Sequence, residues 1–312
     1  MMKIAFMYPG QGAQKNGMMQ DFYENCGKAK ELFDTASTIS GYDIPDLCFH
    51  EKEELNQTKY TQVCLMTACM AATEALRDAG VEPDATCGLS LGEYTALVAS
   101  GALRFDEAVR LVTIRGRIME EAAPNIGGMS AVIGMNEEDL RAGIDGIEGA
   151  YVANFNCPGQ IVITGYKEAV EKAGEALKEK GAKRVIPLKC SGPFHSPIME
   201  KAGKELRKYI DQIHIDALKA PYAANLTGEI VTDETKIADL LEKQVSGSVR
   251  MQQDIEALAK SGVDTFIEIG PGKTISGFVK KTLSDVEILN VETLEDVASV
   301  AARIKEKAEE AK

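Results

Sequence analysis

Read for apolar and polar spacing, the chain alternates short apolar runs closed by glycine with longer stretches of helical period. "KIAFMYPGQG" (3 to 12) reads as a buried strand breaking into a Pro-Gly turn, and "YTQVCLMTACMAATEALRDAG" (60 to 80) as an apolar helix ended by Gly80. Residues 84 to 100 give a short strand, a turn at Ser90 and another helix. Strand and helix thus alternate from the start, which predicts an α/β architecture on a mostly parallel sheet.

The texture changes at Pro124. After it come "GMSAVIG", "NEEDLRAGI", "AYVANFN", "QIVITG", "KEAVEKAGEALKEKG" and "AKRVIPL", in the order β-α-β-β-α-β. That order is the split βαβ unit of ferredoxin-like α+β domains. It predicts a small domain at 127–197 inserted into a large α/β domain made of 1–126 and 198–312. The later run "TFIEIG" reads as one more buried strand, and the tail "RIKEKAEEAK" as a solvated helix end.

Composition narrows the function classes. Hydrophobic residues at 45% and charged residues at 27% are ordinary for a globular protein. A net charge of −13 argues against nonspecific nucleic-acid binding, which needs a positive field. The start "MMKIAFMYPGQG" lacks the long apolar core of a secretory leader, and no run of 18 apolar residues could span a membrane. Seven cysteines without a CxxC pair fit reduced thiols, and no Cys/His ligand cluster calls for a metal. The expectation is a soluble, cytoplasmic protein.

The stretch "TCGLSLGEYTALVASG" (86 to 101) frames Ser90 with Gly88 and Gly92 at two residues on either side. Glycines there let a strand and a helix pass closely in a sharp turn that presents the serine, while the helix start aims amide groups at the same spot. A chain this long should hold roughly 0.1 such GxSxG matches by chance, and the rival reading is a capping serine at a glycine-rich helix start. A nucleophilic serine needs a base. His50 lies in the charged stretch "CFHEKEELNQ", and His214 lies in "YIDQIHID", whose alternation suggests a strand or its edge. His195, in the Gly/Pro loop "KCSGPFHSPIM" where the insert rejoins the large domain, is the best candidate, since domain junctions favour pockets. No acid between Ser90 and His195 stands out as a third member, so a backbone carbonyl is left to orient the imidazole.

On the helix read over 106 to 123, Leu111, Arg115, Ile118 and Ala122 form one stripe. An arginine in an apolar stripe is seldom unpaired. It can sit in a buried ion pair, snorkel to the surface, or clasp a free carboxylate with two parallel N–H bonds.

Several segments together resemble the malonyl-CoA:acyl carrier protein transacylase family: "YPGQGAQ", "ELNQTKYTQ", "GLSLGEYTAL", "IRGRIMEEA", "ANFNCPGQIVITG", "GPFHSPIM", "ANLTG" and "FIEIGPGK", in the family's order over nearly the whole chain. The resemblance implies an α/β-hydrolase-like large domain, Ser90 as nucleophile and His195 as base and acid. It also implies an oxyanion hole from the amides of Gln11 and Leu91, and a main-chain carbonyl near Gln244 that holds His195. Arg115 is implied to bind the malonyl carboxylate, with Asn154 and Asn156 at the lip of the cleft. Phe194 is similar to the context found in malonyl rather than methylmalonyl loaders. Malonyl-CoA and the phosphopantetheine of acyl carrier protein are then substrates, no cofactor is needed, and a monomer is expected.

Two positions depart from the family's pattern: Leu89 stands where many members have histidine, and "SGSVRM" replaces the more usual "xxPVxW". An acidic carrier protein would meet a chain of net charge −13, so a local positive rim is expected from Lys183, Arg184, Lys189, Lys273, Lys280 and Lys281. The competing functions are a hydrolase that uses water as acceptor and a noncatalytic acyl-CoA sensor. A phosphate-binding turn at "PGQGAQ" lacks both the third spaced glycine and the Gly-Lys-Ser/Thr that such loops use.

Overall fold

The computed structural model describes residues 2–122, 124–189 and 192–310. Ala123, Cys190, Ser191 and the last two residues of the charged tail lie outside that set. Ten strands occur among the described residues: β1 (Ile4–Tyr8), β2 (Ala85–Gly88), β3 (Gly127–Ile133), β4 (Ala150–Cys157), β5 (Gln160–Tyr166), β6 (Arg184–Pro187), β7 (Tyr222–Ala224), β8 (Glu229–Val231), β9 (Thr265–Ile269) and β10 (Glu287–Val291).

Six of them form one sheet in the order β10-β9-β1-β2-β7-β8, parallel except where β8 turns back on β7. Every residue of β1 and β9 is buried. Both faces of these central strands are covered, which is why they read as unbroken apolar runs and not as alternation. The helix Thr58–Asp78 is buried nearly all round, packed between the helices Gly27–Ser40 and Phe105–Ala122. Gly80 follows it at φ 84°, a left-handed value that glycine takes without strain.

The other four strands form an antiparallel sheet in the order β4-β5-β3-β6. The helices Glu137–Ile144 and Lys167–Glu179 cover one face of it, over Val132, Leu140, Phe155, Ile163 and Leu177. Alternation along β3 sends Ala131 to the opposite face, with Ala153 and Val162. Edge strand β4 is stitched to the rest of the molecule: Phe155 donates to the Val249 carbonyl and Val249 to the Ala153 carbonyl, both at 2.8 Å. This is an α/β fold with a mostly parallel sheet and a separate ferredoxin-like sheet inserted between its second and third strands in sequence.

Two expectations need correction. His214 lies in irregular chain after the helix Glu200–Ile210, not in a strand. Ile210 and Ile213 continue the helical spacing into a turn, and over eight residues that mimics alternation. The helix bearing Arg115 runs Phe105–Ala122, and Ala122 is exposed; the buried stripe is Ala108, Leu111, Val112, Arg115 and Met119.

Candidate active site

Strand β2 ends at Gly88 and the helix Leu91–Ala99 begins three residues later, leaving Ser90 at the turn with φ 54° and ψ −99°. A Cβ on Gly88 would lie 2.1 Å from the Gly92 carbonyl, and one on Gly92 would lie 2.1 Å from the Tyr8 carbonyl. Only hydrogen fits at either contact, so both glycines of the motif are sterically required. Positive φ costs a serine on the order of 1–3 kcal/mol. Two side-chain amides hold the backbone there: Asn225 accepts from the Ser90 amide at 2.7 Å and donates to the Gly88 carbonyl at 2.7 Å, while Gln244 Nε2 donates to the Ser90 carbonyl at 2.9 Å.

His195 comes from a loop 105 residues further along, and its Nε2 lies 2.7 Å from Ser90 Oγ. Its Nδ1 lies 2.9 Å from the Gln244 carbonyl, so Nδ1–H donates there and the Nε2 lone pair faces the hydroxyl. Burial first, and then the positive charge of Arg115, push its pKa down to about 4. The imidazole is therefore neutral at pH 7, the form a general base needs. The carbonyl belongs to Gln244, two residues before the segment "SGSVRM", and the backbone of Gly247 inside that segment also bonds the ring.

Arg115 is only 1% exposed. Its Nη1 donates to Gln62 Oε1 at 2.7 Å, and its Nη2 donates to Gln244 Oε1 at 3.0 Å and to Ser90 Oγ at 3.2 Å. The guanidinium also lies over the Tyr94 ring, 5.0 Å from its centroid. Every one of these hydrogen-bond acceptors is neutral. Neither the buried ion pair nor the snorkelling arginine describes this side chain; it is a buried fork held open by amides, one bond from the serine hydroxyl.

Two carboxyls lie beneath the turn. Glu93 Oε2 accepts from Gln244 Nε2 at 2.7 Å, and Asp254 Oδ2 accepts from Asn225 Nδ2 at 2.8 Å. Burial is the main cause that raises both, Glu93 to about 7 and Asp254 well above the usual carboxylate range. Sequence reasoning assigned no role to Gln62, Glu93 or Asn225, although each lies in a motif quoted above. Asp254 gave no signal, being one polar position on an amphipathic helix.

The remaining candidates are placed as follows. Gly10 and Gly92 bring the loop holding Gln11 against the serine turn, since a Cβ on Gly10 would lie 2.4 Å from the Leu89 carbonyl. Leu91 opens its helix, so its amide has no carbonyl one turn back. Gln11 itself donates from Nε2 to Thr58 at 3.0 Å. Asn154 and Asn156 are buried on β4, and Asn156 Oδ1 has no hydrogen-bond partner among the described residues. Phe194 packs in the main core next to His195. Leu89 is half-buried, its amide donating to Tyr8. His50 and His214 are exposed and pair with Asp46 and Asp216. Among the described residues no cluster of His, Cys, Asp and Glu could hold a metal, and no helix is long and apolar enough to cross a membrane.

The chain is similar to known proteins over nearly its whole length. Residues 5–310 match the family model described as acyl transferase domain. The malonyl CoA-acyl carrier protein transacylase of Bacillus subtilis (strain 168) is 44% identical over 304 residues, 95% of this chain and 96% of the relative. The crystal structure of the malonyl CoA-acyl carrier protein transacylase from Clostridium perfringens Atcc 13124 superposes with a TM-score of 0.95 at 43% identity, covering 99% of both chains. A type II PKS acyl-carrier protein in complex with its malonyl-transacylase provides a further likeness, with a TM-score of 0.93 at 34% identity over 96% of this chain and 99% of that one. Matched over nearly its whole length at 43–44% identity, the chain belongs to the malonyl CoA-acyl carrier protein transacylase family and is an acyltransferase.

Proposed function

We propose that this protein transfers a malonyl group from malonyl-CoA to the phosphopantetheine thiol of acyl carrier protein, by a ping-pong route through a malonyl ester of Ser90. Ser90 Oγ attacks the thioester carbonyl as its proton passes to His195 Nε2. The new C–O bond replaces the C–S bond, and coenzyme A leaves with that proton. In the second half the carrier thiol gives its proton to His195, attacks the ester and regenerates the serine. The Gln11 and Leu91 amides hold the oxyanion in both halves. No metal or cofactor enters; the substrates are malonyl-CoA and the carrier's phosphopantetheine thiol.

The observation that carries this reading is Arg115, a fully buried fork 3.2 Å from the nucleophile whose hydrogen-bond acceptors are all neutral. A malonyl carboxylate supplies the missing charge. An acetyl group would leave the cation unpaired, a handicap on the order of 10⁴ by analogy with other polar sites. Asn154 and Asn156 line the lip of the cleft, and Phe194 shapes the pocket beside His195. The large domain of 1–126 and 198–312 carries Ser90 and Arg115, and the insert of 127–197 supplies His195 from its end, in a monomer working in the cytoplasm.

For the acidic carrier, Lys183, Arg184, Lys189, Lys273, Lys280 and Lys281 are all exposed, and Lys281 reaches Gln160 of the small sheet at 3.4 Å, with β3 between that strand and the one that starts at Arg184. Neutralising them is expected to slow transfer to the carrier and flatten its salt dependence.

Intact-mass measurement after mixing with malonyl-CoA or acetyl-CoA tests the core of the proposal. The expected result is a malonyl adduct only, absent in Ser90→Ala, and a shift toward acetyl in Arg115→Ala. Steady hydrolysis without carrier protein would favour a hydrolase instead. Failure to form any acyl-enzyme would favour a sensor.

A further inference from the structure

The side-chain amide of Gln244 can be oriented only one way. Its Nε2 faces three oxygens, Glu93 Oε2 at 2.7 Å, the Ser90 carbonyl at 2.9 Å and Asn225 Oδ1 at 3.4 Å, while its Oε1 accepts from Arg115 at 3.0 Å. Turned over, the amide would set N–H groups against a guanidinium and an oxygen against three oxygens. Glu93 makes the shortest of these contacts and comes from the first turn of the helix after the nucleophile. It is fully buried. Arg115, Tyr222, Tyr94, Asp254 and Cys87 are the other titratable groups close to it.

We propose that Glu93 is a positioning residue for acyl selectivity: by accepting from Gln244 Nε2 it aims Gln244 Oε1 at Arg115, and so keeps the guanidinium fork open toward the acyl pocket. The inference rests on the reading of Arg115 as the carboxylate clamp. Its physical logic is one of spacing. A carboxylate bonded directly to Arg115 would occupy the fork and exclude the substrate's own carboxylate. Set one amide away, Glu93 still attracts the buried cation but leaves its donors on neutral, displaceable oxygens. Its pKa of about 7 suits that role, since a partly protonated acid keeps an acceptor oxygen without a full counter-charge.

The test compares acyl-enzyme formation from malonyl-CoA and acetyl-CoA in Glu93→Met and Glu93→Gln. Losing the acceptor in Glu93→Met is expected to lower the malonyl-over-acetyl ratio of kcat/KM about 10- to 100-fold, the scale for hydrogen bonds to charged groups. The loss should fall mainly on the malonyl-CoA KM, with acetyl-CoA rates kept. Glu93→Gln retains an oxygen at the same reach and is expected to keep the ratio within about threefold. Equal losses for both substrates in Glu93→Met, an unchanged ratio, or a Glu93→Gln enzyme as unselective as Glu93→Met would each overturn the proposal. Should Glu93→Met not fold, Gln244→Leu must show the same fall in ratio. Arg115→Ala, run alongside, separates the two ideas: no change there sinks the clamp itself, whereas a change there with none in Glu93→Met sinks only the role of Glu93.

Discussion

Around the four-stranded sheet the interior is apolar, built of Val132, Leu140, Phe155, Ile163 and Leu177. Below Ser90, on the six-stranded sheet, the interior instead contains Arg115, Glu93 and Asp254, three buried groups able to carry charge, threaded by the amides of Gln244 and Asn225. Apolar burial is non-directional and forgiving of small shape changes. A buried polar network costs desolvation for every member and repays it only when each bond has good geometry. The molecule concentrates that cost where direction matters, at the turn where a strained serine, a neutral imidazole and a guanidinium must meet.

This contrast can be broken by experiment. The largest effect is expected in His195→Ala, which should slow acylation by about 10³ or more with little change in thermal stability, because the imidazole serves the reaction and not the core. A variant acylating at a tenth of the normal rate would mean that another group takes the serine's proton. Leu177→Ala, in the apolar interior, should do the reverse. It is expected to cost about 2–5 kcal/mol of stability in denaturant unfolding, while the malonyl-over-acetyl ratio stays unchanged. A shifted ratio would show that the two regions are not separable.

A smaller effect sharpens the electrostatics. The folded pKa of His195, about 4, lies below its ordinary value of about 6.5. The neutral base therefore persists as pH falls through 6, and acylation from its acid limb should fail only near pH 4. The unfolded chain binds this proton first, so the stability contribution, present above about 6.5, is lost as pH falls toward 4. Arg115→Ala removes the second cause of the depression, and single-turnover acylation should then lose its acid limb at higher pH. The smallest effect is assigned to His50→Gln and His214→Gln, both exposed side chains, whose kcat/KM should stay within about twofold of the parent.

Much of this was legible in the linear pattern. The unbroken apolar run of β1, the long helix stopped by Gly80, and the change of texture after Pro124 all reflect local rules of burial, turn chemistry and period, which act within a few residues. Ser90 was legible for the same reason, since Gly88 and Gly92 are its near neighbours in sequence. His214 was misread because eight residues are too few to separate helical spacing from alternation. Ala122 was misplaced on the buried stripe because burial of a helix's last turn depends on what packs above it.

By itself, then, the amino-acid sequence determined the α/β architecture, the inserted antiparallel sheet and the strained presentation of Ser90, because each depends on short-range sterics and on the period of apolar residues. Only the tertiary structure decided that amides and not acids surround Arg115, that the Gln244 amide bonds the Ser90 carbonyl, and that Glu93 and Asp254 lie beneath them. Those are contacts between segments up to 154 residues apart. An amide's direction, or a carboxyl's lack of a charged partner, is set by whichever chains meet there in space, and no local pattern records it.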